Sequence, residues 1–149
     1  MHHVFTIRGG IGVPDGTTVF PFLSPHDDTS GLGWGLFEGF SIAAGEIAPG
    51  TASAIHLLPR ATQVTFVLEG TLTARMRGTD GGAMYALRLT LHQACLTLPG
   101  ERLQLANETA SALRLLYIVS PAYRFETDSE GRVTHEDAVL LTGWDEAPE

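Results

Sequence analysis

The sequence is poor in cysteine, in positive charge and in long apolar runs. The single cysteine, Cys95, cannot form an internal disulfide and excludes zinc sites built from several thiolates. No apolar run approaches the ~18–20 residues of a membrane-spanning helix, and the N-terminus lacks the features of a signal peptide. We therefore expect a cytoplasmic protein without a membrane partner.

Positive charge is outweighed by negative charge. Nine Lys and Arg residues stand against seventeen Asp and Glu residues, which gives a net charge of −8. Nucleic-acid phosphates and anionic lipids repel such a chain. Nucleic acid is therefore not an expected partner.

The length and the turn residues favour one domain made of short strands. A chain of 149 residues matches a single domain, which we place over residues 1–149. Its 17 glycines and 8 prolines interrupt the chain too often for long helices. We expect an all-β fold with few or no helices.

Alternating hydrophobicity supports the strand prediction. Leu72, Ala74 and Met76 fall on one face of a strand, with threonine and arginine on the other. The same period of two recurs at Leu113, Leu115, Tyr117 and Val119. Turn signals separate such runs along the chain, as is typical of a β-sandwich or barrel.

Residues 50–70, GTASAIHLLPRATQVTFVLEG, resemble the first motif of the cupin superfamily. That motif is Gly, five residues, His-x-His, three or four residues, Glu, six residues and Gly. Here Gly50, His56, Gln63 and Gly70 occupy the first Gly, the first His, the Glu and the last Gly. The resemblance implies a jelly-roll barrel and, since small cupins commonly pair, a homodimer.

The second cupin motif, Gly-x5-Pro-x-Gly-x2-His-x3-Asn, is matched more loosely by residues 93–107, QACLTLPGERLQLAN. With Pro99 as the anchor, Gln104 stands at the His position. The resemblance covers a barrel core of about residues 40–121. An N-terminal strand and a long loop over residues 1–39 precede the core, and a C-terminal segment over residues 122–149 follows it.

The resemblance also implies where a metal would bind. Cupins hold one metal through two His of the first motif, its Glu and the His of the second, and these positions read His56, Leu58, Gln63 and Gln104. Leucine has no ligating atom, and neutral amide oxygens are weak ligands. We expect no cofactor; a divalent transition metal held by His56, Gln63 and Gln104 is the less favoured alternative.

The same positions form a candidate site for a small molecule. His56, with an unperturbed pKa near neutrality, is the candidate proton carrier, and the amides of Gln63 and Gln104 are candidates to hold a carbonyl or enolate. The candidate substrate-binding residues are Leu58, Thr65, Arg102 and Phe40.

Three functions remain open on these residues. The leading hypothesis is a metal-independent isomerase, cyclase or lyase that acts on an organic metabolite. The alternatives are a non-catalytic ligand-binding or sensor protein and a metal-dependent dioxygenase with unusual ligands. These polar residues could also have no function. In that interpretation they are the remnant of a metal site, and the two amides pair with each other and with His56.

Other motifs carry weaker signals. His26-Asp27-Asp28 resembles the His-x-Asp of 2-oxoglutarate-dependent oxygenases, but Asx turns in a loop explain it better. Cys95 is interpreted as a small buried residue, and Trp34 and Phe37 as core or cavity wall. A tyrosine could supply a phenolic acid opposite His56. The alternation of residues along the strands does not decide between Tyr85, Tyr117 and Tyr123.

Overall fold

Strands account for the regular structure of residues 6–7, 9–24 and 39–148, which are the residues that the computed structural model describes. The strands are β1 (Ile11–Gly12), β2 (Thr18–Leu23), β3 (Ser41–Ile47), β4 (Ile55–Leu57), β5 (Thr62–Glu69), β6 (Leu72–Arg77), β7 (Tyr85–Leu89), β8 (Ala94–Thr97), β9 (Arg102–Ala106), β10 (Leu113–Ser120), β11 (Phe125–Thr127), β12 (Val133–Glu136) and β13 (Val139–Leu141). No helix occurs in these ranges, so the all-β prediction is confirmed.

The strands form two facing antiparallel sheets. Sheet A has the order β1-β2-β3-β10-β5-β8, sheet B has the order β13-β4-β9-β6-β7, and β11 and β12 make a separate hairpin. From β3 to β10 the chain passes repeatedly between the sheets, which is the topology of a jelly roll. The edge strands β7 and β8 are not hydrogen-bonded to each other, so the two sheets do not close into a continuous barrel.

The alternation read from the sequence places the core between the sheets. On β6, Leu72 and Ala74 have no exposed surface and Met76 has almost none. They pack in one large apolar cluster with residues that include Val67, Leu115, Leu103 and Leu105. A second, smaller cluster contains Leu58, Ala61 and Val119, packed against Tyr123 and Ala138.

Two glycines of the first motif have a backbone reason to be glycine. Gly50 and Gly70 have φ angles of 71° and 87°, a region that L side chains rarely adopt. A Cβ atom on Gly70 would lie 2.3 Å from the carbonyl oxygen of Ala112. The turn that joins β5 to β6 therefore requires glycine at this position.

The N-terminal part differs from the sequence-based expectation. Residues 1–39 were expected to hold one strand and a long loop, but they contain β1 and β2, and β2 pairs with β3 as far as Leu23. Thr6 and Ile7 are not in a strand. His26, Asp27, Asp28, Trp34 and Phe37 lie outside the described residues. In the part of the chain that the structure describes, no helix is long and apolar enough to cross a membrane.

Candidate functional site

A polar belt separates the two apolar clusters. On β10, Tyr117 lies between Leu115 of the large cluster and Val119 of the small one. Thr65 pairs with Tyr117 in the register of β5 and β10, and Gln63 pairs with Val119. We use the name polar belt for five residues of the inner faces: His56, Gln63, Thr65, Thr97 and Tyr117.

His56 faces the belt from sheet B. Its cross-strand partner on β9 is Leu103, a residue of the large cluster, and side chains of paired residues lie on the same face of a sheet. Only 7% of His56 is exposed. The imidazole therefore lies between the sheets, as the sequence predicts.

One hydrogen bond fixes the protonation pattern of the His56 ring. Its Nδ1 lies 3.0 Å from the carbonyl oxygen of Ala54, and a carbonyl oxygen can only accept. Nδ1 of the neutral ring must therefore carry the hydrogen, which leaves a lone pair on Nε2. No described residue makes a hydrogen bond to Nε2. The ring is thus prepared to accept a proton at Nε2.

Gln63 and the residues around it supply neutral polar groups. Gln63 Nε2 donates to Thr65 Oγ1 at 3.0 Å, which leaves a second amide hydrogen. Opposite Gln63 in the register lies Thr97, whose buried Oγ1 has no hydrogen-bond partner among the described residues. An unpaired buried hydroxyl costs ~1–3 kcal/mol. A polar group of a ligand placed here would remove that cost.

Cys95 pairs with Thr65 in the register and lies in the large apolar cluster. Burial raises the pKa of its thiol, and the contact with the Thr65 side chain opposes this only in part. The side chain is therefore a buried thiol rather than a thiolate nucleophile.

Acidic groups that sequence reasoning missed lie close to the belt. The Tyr123 hydroxyl donates to Glu136 Oε1 at 3.0 Å. Burial raises the pKa of Glu136. The hydrogen bond from Tyr123 opposes this in part, the charge of Asp15 raises the pKa further, and the charge of His56 lowers it. Burial and the charge of Asp15 also raise the pKa of Tyr117. Glu136 therefore interacts electrostatically with both Asp15 and His56.

The three candidate tyrosines lie in different environments. Tyr117 belongs to the belt, and Tyr123 is bonded to Glu136. Burial is also the main cause that raises the pKa of the Tyr123 phenol. Tyr85 lies on edge strand β7 and is 46% exposed. Tyr123 is therefore the phenol that can share a proton with a carboxyl group near His56.

We expect Glu136→Gln to stabilise the protein more at neutral pH than at acid pH. The folded state raises the pKa of Glu136 above its ordinary value of 4.5, so its contribution to stability is lost as the pH rises through the raised value. Glutamine cannot ionise and still accepts the bond from Tyr123. The free energy of unfolding, from urea titrations at about pH 4 and pH 7, should show a gain over wild type that grows with pH.

Glu69→Gln is the matched control for that experiment, because Glu69 is an exposed residue at the end of β5. Its difference from wild type should not change between the two pH values. A gain that is equal at both pH values in Glu136→Gln would contradict the assigned burial of the carboxyl group.

The structure corrects the placement of Gln104 and Arg102. Leu103 and Leu105 of β9 point into the large cluster, so the residues that alternate with them lie on the outer face of sheet B. There Gln104 pairs with Arg75 and donates its amide to the carbonyl oxygen of Ser53 at 3.1 Å. The prediction that Gln104 and Arg102 face the interior is wrong.

The cause is a shift of one residue in the second motif. Gly100 and Asn107 fit the Gly-x2-His-x3-Asn spacing with Leu103, not Gln104, at the His position. Leu103 is also the residue that pairs with His56. Pro99 was the misleading anchor, because a slip of one residue moves a side chain to the other face of a strand.

The donor set does not fit a metal. At the four positions of the resemblance the chain has His56, Leu58, Gln63 and Leu103, which provide one good ligand. Among the described residues, no group of three or more His, Cys, Asp or Glu side chains is arranged to hold a metal ion.

The other predicted site residues differ in their position relative to the polar belt. Leu58 is buried in the small cluster beside Val119, and Thr65 is fully buried in the belt. Phe40 precedes β3 and is 36% exposed, at the end of the sheet. An open cleft of about 430 Å³ between β7 and β8 includes Cys95 but neither His56 nor Gln63.

The fold is that of known solved structures. Oxalate oxidase in complex with the substrate analogue glycolate is 18% identical, with a TM-score of 0.63, and the match covers 87% of this chain and 57% of that one. The capsular polysaccharide assembling protein CapF from Staphylococcus aureus is 12% identical, with a TM-score of 0.62, and the match covers 95% and 32%. A domain of CENP-C from Drosophila melanogaster is 9% identical, with a TM-score of 0.59, and the match covers 78% and 72%.

The chain therefore spans about half the length of the oxalate oxidase chains that it matches. No protein-family model matches the sequence, and the search of curated proteins gives no match. At these identities the similarity establishes the fold. The jelly roll of the cupins, implied by the motif at residues 50–70, is thus confirmed.

Proposed function

We propose that this cupin-fold chain is a metal-independent enzyme that binds an organic metabolite at the polar belt. In this proposal His56 moves a proton during an isomerisation, a cyclisation or an elimination. The hydrogen bond from His56 Nδ1 to Ala54 carries the proposal, because it leaves the lone pair of Nε2 available as a base. Fold alone would not support it, since one fold serves many chemistries.

The residues around His56 support proton transfer. When Nε2 takes a proton from a carbon beside a carbonyl group, the ring becomes a cation. The carboxylate of Glu136 interacts electrostatically with His56, and opposite charges attract each other at short range. The amide of Gln63 and the hydroxyl of Thr97 are the donors assigned to the enolate oxygen that forms. The proton then returns from Nε2 to another atom of the substrate.

The charges of the inner face favour a neutral substrate. The arginines of the sheet B strands β6, β7 and β9 alternate with inward apolar residues and lie on the outer face. Asp15 and Glu136, which act on the site, are acidic. Small carboxylates, whether the oxalate dianion or the glycolate monoanion, would be repelled here. The glycolate bound by the structurally similar oxalate oxidase is therefore not the ligand class that we propose.

Ligand binding tests this substrate class. We expect neutral hydroxyketones, with dihydroxyacetone as the probe, to raise the melting temperature, and sodium oxalate and sodium glycolate at equal ionic strength to leave it unchanged. Gln63→Leu should weaken hydroxyketone binding by ~1–2 kcal/mol in calorimetry, through loss of one neutral hydrogen bond. Stabilisation by oxalate with none by hydroxyketones would contradict the proposal.

We also propose a homodimer formed through the outer face of sheet A. That face carries Val64, Phe66, Leu68 and Leu96, and Leu96 is 54% exposed. A second copy placed on the face would remove this apolar surface from water. Light scattering should give twice the mass of one chain, and a monomer at micromolar concentration would contradict the dimer.

A further inference from the structure

Four arginines share the outer face of sheet B. Arg77 pairs with Arg102 across β6 and β9, Arg75 lies on the same face of β6, and Arg88 of β7 faces outward opposite Thr73. We call these four residues the arginine face. They are four of the nine positively charged residues of a chain with a net charge of −8. Arg75 is ion-paired with Glu108, and the positive charge of the other three arginines attracts anions.

The pairing of Arg77 with Arg102 is unfavourable without an anion, because like charges directly opposite each other destabilise a sheet. The segment between β6 and β7 and the segment that follows β13 supply the acceptors. Arg77 donates from Nε to the carbonyl oxygen of Gly82 at 2.7 Å and from Nη2 to that of Gly81 at 3.3 Å. Arg77 Nη1 donates to the carbonyl oxygen of Trp144 at 2.7 Å and to Asp145 Oδ1 at 2.5 Å. Arg102 Nη2 donates to the carbonyl oxygen of Glu146 at 2.7 Å.

The segment leaves donors of the arginine face unused. Arg102 Nε is buried and has no hydrogen-bond partner among the described residues. Arg88 is exposed and makes no hydrogen bond or ion pair in the described part of the chain. The Asp145 side chain is 94% exposed, and exposed ion pairs are weak. A stronger anion can therefore replace the carboxylate of Asp145.

We propose that the arginine face is a binding site for a phosphate group of a small molecule, and that the Asp145 carboxylate occupies the position of one phosphate oxygen when no ligand is bound. Guanidinium groups bind phosphate through paired N–H donors, which suits two arginines side by side. The tethered carboxylate competes at a high effective concentration, so its removal should strengthen binding. The site lies on the opposite side of sheet B from His56 and does not depend on the proposed catalysis.

Calorimetry with inorganic phosphate at constant ionic strength tests the site. We expect saturable binding of one phosphate per chain, strengthened about threefold to tenfold by Asp145→Asn. Arg102→Gln and Arg77→Gln should each weaken it about tenfold or more, as loss of a charge-assisted bond does. The matched control is Arg114→Gln, which removes one exposed arginine from β10 in sheet A and should leave the affinity unchanged.

Any one of the following outcomes would overturn the proposal. The first is a calorimetric titration in which the heat does not saturate with phosphate. The second is an equal loss of affinity in Arg114→Gln and Arg102→Gln, which would indicate nonspecific electrostatic attraction. The third is an unchanged affinity in Asp145→Asn. If Arg77→Gln fails to fold, Arg88→Gln replaces it, because the exposed Arg88 has no structural contact to lose; unchanged binding in that variant would also count against the site.

Discussion

Replacing His56 by asparagine should lower turnover about 10²- to 10⁴-fold and leave ligand affinity nearly unchanged. The asparagine amide can donate to the carbonyl oxygen of Ala54 in place of Nδ1, so the local structure is retained. It has no basic nitrogen at the position of Nε2. Turnover and calorimetric affinity for the same hydroxyketone, measured side by side, check this separation of rate from binding.

Gln63→Leu is the control for that comparison. A neutral hydrogen bond to the substrate acts in the ground state and in the transition state, so affinity and rate should fall together. A folded and fully active His56→Asn variant would contradict the proton-transfer role. Binding that is retained with no turnover in wild type would instead support a non-catalytic ligand-binding protein.

Restoring the ligand positions should create a metal site. The variant Leu58→His, Gln63→Glu, Leu103→His completes the set that the cupin motifs require around His56. Imidazole and carboxylate ligands bind divalent metals far better than the present side chains do, so affinity for manganese or nickel should rise about 100-fold or more. Competition with a coloured chelator measures the gain, and thermal unfolding shows whether the buried histidines are tolerated.

A variant with the third histidine at Gln104 is the matched control. Gln104 lies on the outer face of sheet B beside Arg75, so Leu58→His, Gln63→Glu, Gln104→His leaves the site one ligand short. It should bind the metal at least about tenfold more weakly than the first variant. Equal affinity in the two variants would mean that the register of β9 is not as described.

Much of the fold could be predicted because its signals are local. The alternation at Leu72, Ala74 and Met76 is a property of six consecutive residues, and the structure buries all three. Gly50 and Gly70 are required by their own backbone angles. The position of His56 follows from the motif between these glycines.

The rest of the site depends on information that is not local. The assignment of Gln104 failed because Pro99 and Asn107 imply registers that differ by one residue, and only strand pairing decides between them. Asp15 and Glu136 come from opposite ends of the chain and meet near His56 through the fold. No pattern in the sequence connects them.

The protonation of His56 is the most direct test of the account. Nitrogen NMR of the protein with labelled histidine, with the His56 signals assigned by their loss in His56→Asn, distinguishes the two ring nitrogens. For the neutral ring we predict a protonated Nδ1 and an unprotonated Nε2, whose signal shifts when a hydroxyketone binds. A neutral ring with its proton on Nε2 would contradict the hydrogen bond to Ala54 and the role of His56 as a base.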